Sequence, residues 1–471
     1  MATWQFVTDF ITATPTVLLD LNSTSSAIRV GDDWNLDPPK FNKGYAANPM
    51  RHGQRPTNSS AGNRVLTIPL QVLATGATAA SIIEDIGQMI MVDNILKVQF
   101  GSSNPVFFRT FADPDQSIAV KKTLVENAMV TVELEAEPFA YGVRATAGTF
   151  TVSNNPASVS PAPLRFDVNV EGDAPTPLLI VSTSTGASGA PSGLVNKWVH
   201  IGARRRGTPS AYSNTIQGEN MTQGTGAVVT ADATMSNGSK SRIGFATATN
   251  VLRLSDTFPE NGTPTPDARG EYIVYARCAK TVAGDTITVQ LGYGASSAAP
   301  VFNDTKTLPA GAAGPYWVEL GKVPVPTFSD PVHAGFAGGA ELNVLLGFVG
   351  LYAARTAGSG SLDVDCLYFM PADDQTLIVD FPSTDTTYAI DGTTAEGGAV
   401  YGVNTALDTQ QTLAAPPAIT GGGGFPEAKP LSPNRFHIIR QVDPAGTVDA
   451  ITDTTTFTVY YWPRWREFTR P

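Results

Sequence analysis

Charge, cysteine and long apolar runs are all scarce in this sequence. Charged residues make up 15% of the 471 residues, against about 25% in typical soluble domains. The two cysteines, Cys278 and Cys366, each lie in an apolar run, so we expect two buried free thiols. Since no stretch approaches the ~18 apolar residues of a membrane span and the start lacks a signal peptide, we expect synthesis in the cytoplasm and no membrane insertion.

Recognisable catalytic motifs are also missing. The four histidines, His52, His200, His333 and His437, stand outside any signature, and we expect hydrogen-bonded structural residues. The chain has no Gly-x-Ser-x-Gly, His-Glu-x-x-His, Gly-x-x-x-x-Gly-Lys or Cys-x-x-Cys motif. The run Gly421 to Gly424 is followed by neither a helix pattern nor a lysine, which indicates a linker. The sequence therefore predicts a protein that is not an enzyme, with no catalytic, cofactor or metal site.

The sequence contains one cluster of aspartates. Paired carboxylates catalyse reactions in glycosidases and bind the metal in calcium sites. Asp363 and Asp365 lie two residues apart in an apolar run, close to Asp373 and Asp374. Alternation along a strand places the first two on one face, which predicts a solvated face. A calcium site built from these oxygens is the alternative that the sequence leaves open.

The net charge is −11 and the isoelectric point about 4.9. Such a chain is repelled by phosphate, so we expect no specific nucleic-acid partner.

Glycine and proline are abundant, with 44 and 35 residues, and they cluster between short apolar runs. This punctuation is typical of many turns that join short strands. The length suggests about three domains. The sequence therefore predicts a mainly β protein of several domains.

Residues 1–142 form the first predicted domain, a small β-barrel or sheet with one helix. The helix is predicted from an apolar stripe, with Thr78 as N-cap or Ser81 and Glu84 as a capping box. The stripe either covers the open side of the sheet or forms a partner surface. Asp32 to Asn63 is predicted to be a long polar loop. The strands are predicted at Trp4–Phe10, Thr16–Leu21, Val65–Leu73, Ile95–Phe100, Val106–Phe111 and Met129–Ala136, and the stripe consists of Ile82, Ile83, Ile86, Met89 and Ile90.

Downstream, Thr146 to Pro163 is interpreted as a linker or a boundary between domains. Evenly spaced strand signals from about Gln217 to Pro371, including one at Gly244 to Leu254, favour a jelly-roll β-sandwich. The aromatic residues of this region alternate within strands, so most are expected in the core and at most one or two on a groove. The run from Tyr460 to Arg466 mixes aromatics with arginine, and it predicts equally an interface or a closing strand.

The order of these segments resembles the distal tail (Dit-like) proteins of long-tailed bacteriophages. In residues 1–142 the resemblance rests on the loop at His52 to Arg55, RVLTIPLQVLATG, the helix, ILKVQFG, PVFFRTF and VTVELEAEPFAYG. Residues 143–205 with 376–471 resemble the family's galectin-like β-sandwich, through LRFDVNVEGDAPTPLLIV, TLIVDF, PLSPNRFHII and YYWPRWREF. Residues 206–375 resemble an inserted carbohydrate-binding module of jelly-roll type, through GEYIVYARCA, YWVELGKVPVP and SLDVDCLYFMPADD.

The resemblance implies a structural virion protein, made in the host bacterium. It implies a homohexameric ring at the tail tip that connects the tail tube protein to the hub or baseplate, with outward sandwiches that are candidates for binding host polysaccharide. It supplies no catalytic or ligand-binding residue numbers. An acidic lumen that repels passing DNA is a hypothesis motivated by the net charge, and a basic lumen would end it. The alternatives are a glycan-targeted hydrolase and a free-standing adhesin.

Overall fold

The computed structural model confirms the mainly β fold class. It describes residues 2–10, 15–23, 25, 27–47, 54–112, 119–122, 128–153, 165–185, 198–203, 214–233, 235–258, 270–309, 315–325, 346–372, 375–380, 387–393, 397–403, 410–411, 418–420, 424–432, 434–441 and 454–466. Within these residues there is one α-helix. His52, His333, Asp373, Asp374 and Gly421 to Gly423 lie outside them, so the predictions for these positions stay open.

The N-terminal part of the chain contributes ten strands to sheet A, a nearly closed barrel whose eleventh strand is Arg464–Trp465. Its strand order is β2-β1-β8-β9-β11-β7-β3, with β4, β10 and β12 at the margins. Five of the six predicted strands agree to within two residues at each end, and the first ends three residues early. The elements are β1 Ala2–Val7, β2 Val17–Asp20, β3 Ile28–Val30, β4 Asn35–Leu36, β5 Phe41–Ala47, β6 Gln54–Ala61, β7 Arg64–Val72, α1 Gly76–Ile90, β8 Asn94–Phe100, β9 Val106–Thr110, β10 Ala119–Lys122, β11 Ala128–Ala136 and β12 Ala140–Tyr141.

Helix α1 covers the core of sheet A, which confirms the first interpretation of its stripe. Ile86 and Ile90 are buried, and Ile82, Ile83 and Met89 pack against the same core. The predicted N-caps are wrong, because the helix begins earlier, at Gly76 with Thr75 as the cap residue. Thr75 makes no side-chain capping bond, so packing on the sheet is the main source of this helix's stability.

The predicted loop from Asp32 to Asn63 is wrong in part, because β5 and β6 form a two-stranded hairpin within it. Strands β5 and β6 pair with each other and with no other described strand. The segment lacks the apolar alternation of a strand that buries one face, and this explains why its pattern resembles that of a loop.

The strands described after residue 142 form four further sheets, apart from the last strand, which joins sheet A. Strands β13 Ala145–Ser153, β14 Arg165–Val168, β15 Thr176–Thr185 and β16 Trp198–Ala203 come first. They are followed by β17 Thr215–Gln217, β18 Thr222–Gln223, β19 Ala227–Ala231, β20 Ser239–Ile243, β21 Val251–Phe258, β22 Gly270–Lys280, β23 Thr286–Gly294, β24 Val301–Phe302, β25 Lys306–Thr307, β26 Tyr316–Val325, β27 Leu346–Ala357 and β28 Leu362–Pro371. The last are β29 Gln375–Asp380, β30 Thr387–Asp391, β31 Ala399–Val403, β32 Gln410–Gln411, β33 Ala418–Thr420, β34 Glu427–Ala428, β35 Asn434–Gln441, β36 Thr454–Tyr461 and β37 Arg464–Trp465.

These strands form four sheets, which we call B to E. Sheet B is β13-β36-β15-β30-β31-β32 with β34, and sheet C is β14-β35-β16-β29-β33. Sheet D is β19-β20-β28-β22-β26 with β17, and sheet E is β18-β21-β27-β23-β24 with β25. Strand β37 joins sheet A by pairing with β12.

The five sheets lie in one row, A to E. Successive side chains of a strand point to opposite faces of its sheet, so one strand can pack against a sheet on each side. In β15, Ile180 packs between sheets B and C, while Leu179 packs between B and A. In β35, Ile438 lies between B and C, and Ile439 lies between C and D. In β22, Val274 lies in the core between D and E. Sheets B, C and D are therefore covered on both faces.

Two predictions about segments in this part of the chain are corrected. The predicted linker begins with β13, whose Ala145 and Ala147 pack on the core between B and C. Thr149 and Thr151 of β13 pair with Thr458 and Thr456 of β36. The Thr-rich composition therefore belongs to a strand with one solvent-exposed face. The predicted strand from Gly244 to Leu254 is divided, because residues 244–250 carry the chain from sheet D to sheet E.

We expect Ile86→Ala to destabilise the protein by about 2 to 4 kcal/mol, since the substitution leaves a cavity under α1. The control Met91→Ala, at a position 53% exposed at the end of the helix, should change the free energy of unfolding by less than about 0.5 kcal/mol. Urea denaturation followed by circular dichroism measures both. Equal midpoints for the two variants would show that α1 does not depend on this packing.

Candidate functional site

The predicted acidic face at Asp363 and Asp365 is buried, so the prediction of a solvated face is wrong. Asp363 accepts hydrogen bonds from Lys240 Nζ at 2.6 Å and from Arg242 Nε at 2.8 Å. Its second bond from Arg242, Nη2 to Oδ2, is 3.0 Å long. Asp365 accepts from Arg277 Nη1 at 2.5 Å and from the Ser236 backbone N–H and hydroxyl.

The cause of this burial is local. The register shifts between Arg277 and Cys278, so Asp365 is an extra residue in β28, and Lys240 and Ser236 supply partners to Asp363 and Asp365 respectively. All four carboxylate oxygens accept hydrogen bonds from N–H or O–H donors. A calcium ion could bind these oxygens only by displacing those donors. Among the described residues, no three His, Cys, Asp or Glu side chains come together as a metal site requires. This arrangement suits a buried structural ion-pair network.

Both cysteines are buried free thiols in the structure, as predicted. Burial raises the pKa of Cys278 to about 12 and raises that of Cys366 as well. At neutral pH both are thiols rather than the reactive thiolates of a catalytic cysteine.

The C-terminal run Tyr461 to Arg466 packs on its own chain as a closing strand, and we call it the C-terminal clasp. Trp462 is 2% exposed and donates its indole N–H to the Phe10 carbonyl at 3.2 Å. Its ring meets Phe10 edge-on at 5.8 Å, within the apolar cluster that joins sheets A and B. The sequence left interface and closing strand equally open, and the structure resolves this for Trp462 in favour of the closing strand.

Backbone bonds extend the clasp along both sheets. The Gly142 N–H donates to Pro463 O at 2.7 Å, and the Asp173 N–H donates to Arg464 O at 3.0 Å. Gly172 has φ +116°, and a Cβ there would lie 2.5 Å from Arg464 O, so this position requires glycine.

Two arginines complete the clasp. Arg464 donates to the Tyr141 hydroxyl at 3.1 Å. The pKa of Tyr141 is raised to about 12, chiefly by burial. Arg64, the first residue of β7, is 1% exposed and donates to Pro138 O and to Arg466 O, the latter at 2.9 Å. Burial lowers the pKa of Arg64 to about 10, which leaves it cationic at neutral pH.

A second joint, the C–D seam, connects sheet C to sheet D through two buried histidine–tyrosine pairs. His200 Nδ1 lies 2.8 Å from Tyr275 Oη, and His437 Nδ1 lies 2.7 Å from Tyr368 Oη. These two histidines are hydrogen-bonded structural residues, as predicted. Gly202 permits the close approach, because a Cβ there would lie 2.4 Å from Pro371 O.

The surfaces left for partners lie mainly at sheet edges and on the last face of the row. Val17 and Leu18 of edge strand β2 are each 45% exposed. Val228 and Val229 of edge strand β19 in sheet D are 57% and 52% exposed. On the outer face of sheet E, Phe302 is 47% exposed.

No helix in the described part of the chain has the length and apolarity to cross a membrane. No family model matches the sequence, and the search of curated proteins found no match.

Solved structures similar to this one include a phage Dit protein and a phage baseplate. SPP1 Dit, whose structure is described as a paradigm of the hub adsorption apparatus in phages infecting Gram-positive bacteria, is 12% identical with a TM-score of 0.30. The match covers 78% of this chain and 99% of that chain. Two structures of the phage p2 baseplate in its activated conformation, with Sr and with Ca, are 7% and 8% identical with TM-scores of 0.28 and 0.27. Each covers 94% of this chain and 99% of that chain.

These structures are of the kind that the sequence resembles. At such low identities and TM-scores, the function proposed below rests on the architecture of the chain itself.

We expect Trp462→Ala to weaken the clasp by about 3 to 5 kcal/mol, because it empties the cluster between sheets A and B. Trp462→Phe keeps most of the apolar volume and loses the bond to Phe10 O, so its effect should be smaller. In urea denaturation, sheet A of the alanine variant should unfold in a separate, earlier transition. If the alanine variant unfolds as the wild type does, the clasp does not couple the two sheets.

The C–D seam should weaken in acid. Burial lowers the pKa of His200 to about 3, against about 6.5 in an unfolded chain. The unfolded chain therefore takes up a proton below pH 6.5 that the folded chain refuses until about pH 3. The stability contributed by neutral His200 is full above pH 6.5 and is lost progressively as the pH falls towards 3.

Between pH 6.5 and 4.5 this loss should amount to about 2 to 3 kcal/mol. His200→Gln has no such proton to take up, so its melting temperature should fall less over this interval than that of the wild type. Parallel pH profiles for the two proteins would contradict the assignment, and a measurement at pH 7 provides the folding control.

Proposed function

We propose that this chain is a structural component of the tail end of a long-tailed bacteriophage. Copies form a ring through sheet A, with six copies as the expected number, and the ring connects the tail tube to the hub or baseplate. Residues 1–142 form the ring domain, residues 143–205 with 376–471 form the second domain, and residues 206–375 form the inserted third domain. The protein resides in the virion and catalyses no reaction.

The observation that carries this proposal is the row of five sheets. Sheet A lies at one end, and the other four form two sandwiches in series that extend away from it. Both joints are built from buried aromatic, histidine and arginine side chains, so the row is a fixed arm. A ring with rigid arms is what a connector needs to hold peripheral domains at a set distance from its axis.

Sheet A has features that suit association with further copies. Strand β2 is at the edge of the sheet with Val17 and Leu18 partly exposed. Such an edge is a liability in a monomer and an attachment point in a closed ring. The β5–β6 hairpin also favours association, because a two-stranded ribbon is marginally stable by itself.

The chemistry of the described interior supports a role without catalysis. The buried carboxylates at Asp363 and Asp365 are neutralised by lysine and arginine, and both cysteines are protonated thiols. Host glycan binding by the inserted domain is the second part of the proposal, and the outer face of sheet E is the surface it would use.

Native mass spectrometry of the purified 49.5 kDa chain should give a closed oligomer of six copies. Leu18→Lys should convert it to smaller species, because a charge at the β2 edge opposes pairing. The control is Val229→Lys, an equally exposed edge position in sheet D, which should leave the oligomer intact. A monomer at high concentration, or cleavage of host cell-wall polysaccharide by the purified protein, would favour the adhesin or the hydrolase instead.

A further inference from the structure

Among the described residues, no further sheet packs on the outer face of sheet E, where Phe348 and Ala354 are buried and Phe302 is 47% exposed. Sheet D is packed on both faces, against sheet E on one and against sheet C at the C–D seam on the other. Sheet E packs on sheet D through Val289, Leu291 and Leu351. The alternate side chains of the same strands point away from this core. This face therefore ends the row, at the far side from sheet A.

Two strand glycines shape this face. Gly292 of β23 and Gly350 of β27 are directly paired, and both are buried. A Cβ on Gly292 would lie 2.8 Å from the Tyr352 ring and 3.1 Å from the Phe302 ring. A glycine inside a strand weakens it, and often marks a place where another group approaches closely. Here the missing side chain lets two aromatic rings settle against the sheet.

The two rings form a corner. Phe302 and Tyr352 meet edge to face, with centroids 4.9 Å apart and planes at 77°. Phe302 is 47% exposed, and Tyr352 is partly exposed. This exposed aromatic pair sits on a rigid sheet rather than on a loop.

Amide side chains lie beside the rings in a fixed orientation. Gln290 is paired with Tyr352 in the ladder, and its Nε2 donates to Asn303 O at 2.8 Å. Its Oε1 accepts from Asn250 Nδ2 at 2.9 Å. Each primary amide has two N–H donors and a carbonyl acceptor, so Asn250, which is exposed, retains donor and acceptor capacity for a ligand. Holding these groups in advance reduces the entropy lost on binding.

From this arrangement we infer that Phe302, Tyr352, Gln290 and Asn250 form a binding site for a neutral sugar ring. A pyranose presents an apolar C–H face, which suits an aromatic ring, and a rim of hydroxyls, which suits amides. None of the four residues is charged, so the site offers no cation to an acidic sugar. The inference rests on the proposed function for its biological ligand, a host surface glycan, but the site itself is defined by these residues.

A protein partner fits this surface less well. An interface core buries a continuous apolar patch, whereas here the aromatic pair is bordered by polar amides that would have to be desolvated. A second copy of the chain docking on this face is therefore an outcome that the test must separate from sugar binding.

The test uses the full-length protein on an array of neutral oligosaccharides made of hexoses and N-acetylhexosamines, with uronate-bearing and sialylated counterparts. The neutral oligosaccharide with the strongest signal is then titrated by calorimetry. Phe302→Ala and Tyr352→Ala should each weaken its binding by about tenfold or more. Phe41→Ala is the matched control, since Phe41 is 44% exposed in the separate β5–β6 hairpin, and it should bind within twofold of wild type.

Four outcomes would overturn the inference: no neutral oligosaccharide bound, a preference for the acidic set, unchanged binding by both sheet E variants, or a change in native mass caused by Phe302→Ala. The exposed location of Phe302 means that its variant should fold, and an unchanged melting temperature verifies this. A ring that binds no sugar would overturn this inference and the proposed glycan binding, but it would leave the proposed ring-forming role standing. A monomer that binds sugar through Phe302 would do the reverse.

Discussion

The fold depends on the return of the C-terminal strand to the first sheet. Trp462 packs in the apolar cluster between sheets A and B. Strand β37, more than 300 residues after β12 in the sequence, pairs with β12 in sheet A. Because Tyr461 also ends a central strand of sheet B, displacing this segment would disturb both sheets at once. Residues 461–465 thus connect the two sheets, and together with Leu179 and Val181 they hold sheet B against sheet A.

The same logic explains how an inserted sandwich can be carried rigidly. The insertion leaves sheet C after β16 and returns to it at β29, which is the direct ladder neighbour of β16. Entry and exit are therefore adjacent, and the C–D seam fixes the orientation. A rigid row has a functional consequence, because it presents the outer face of sheet E at a constant distance from sheet A. For a component of a symmetric assembly, this means that all copies present that face at equal distances from the axis.

The fold class and most strands could be predicted from the sequence, because strands that bury one face show alternation, as in Arg64–Val72. The helix was predictable from its stripe, but its start was not, since Thr75 makes no capping bond that would mark it. Asp363 and Asp365 were predicted to be solvated because alternation describes one strand alone. It contains no information about Lys240 and Ser236, which bind their carboxylates from another part of the chain. The corner at Phe302 and Tyr352 depends on Gly292 of β23 lying against both rings, which come from two other strands. Such cross-strand relations follow from sheet order, which a single sequence does not reveal.

Electron microscopy of the intact virus particle at the tail end tests the central claim most directly. The account predicts a ring of this chain at the end of the tail tube, with sheet A innermost and sheets B to E extending outward in the same row in every copy. Density for the chain at another part of the particle, or sandwiches that occupy different positions relative to sheet A from copy to copy, would contradict it.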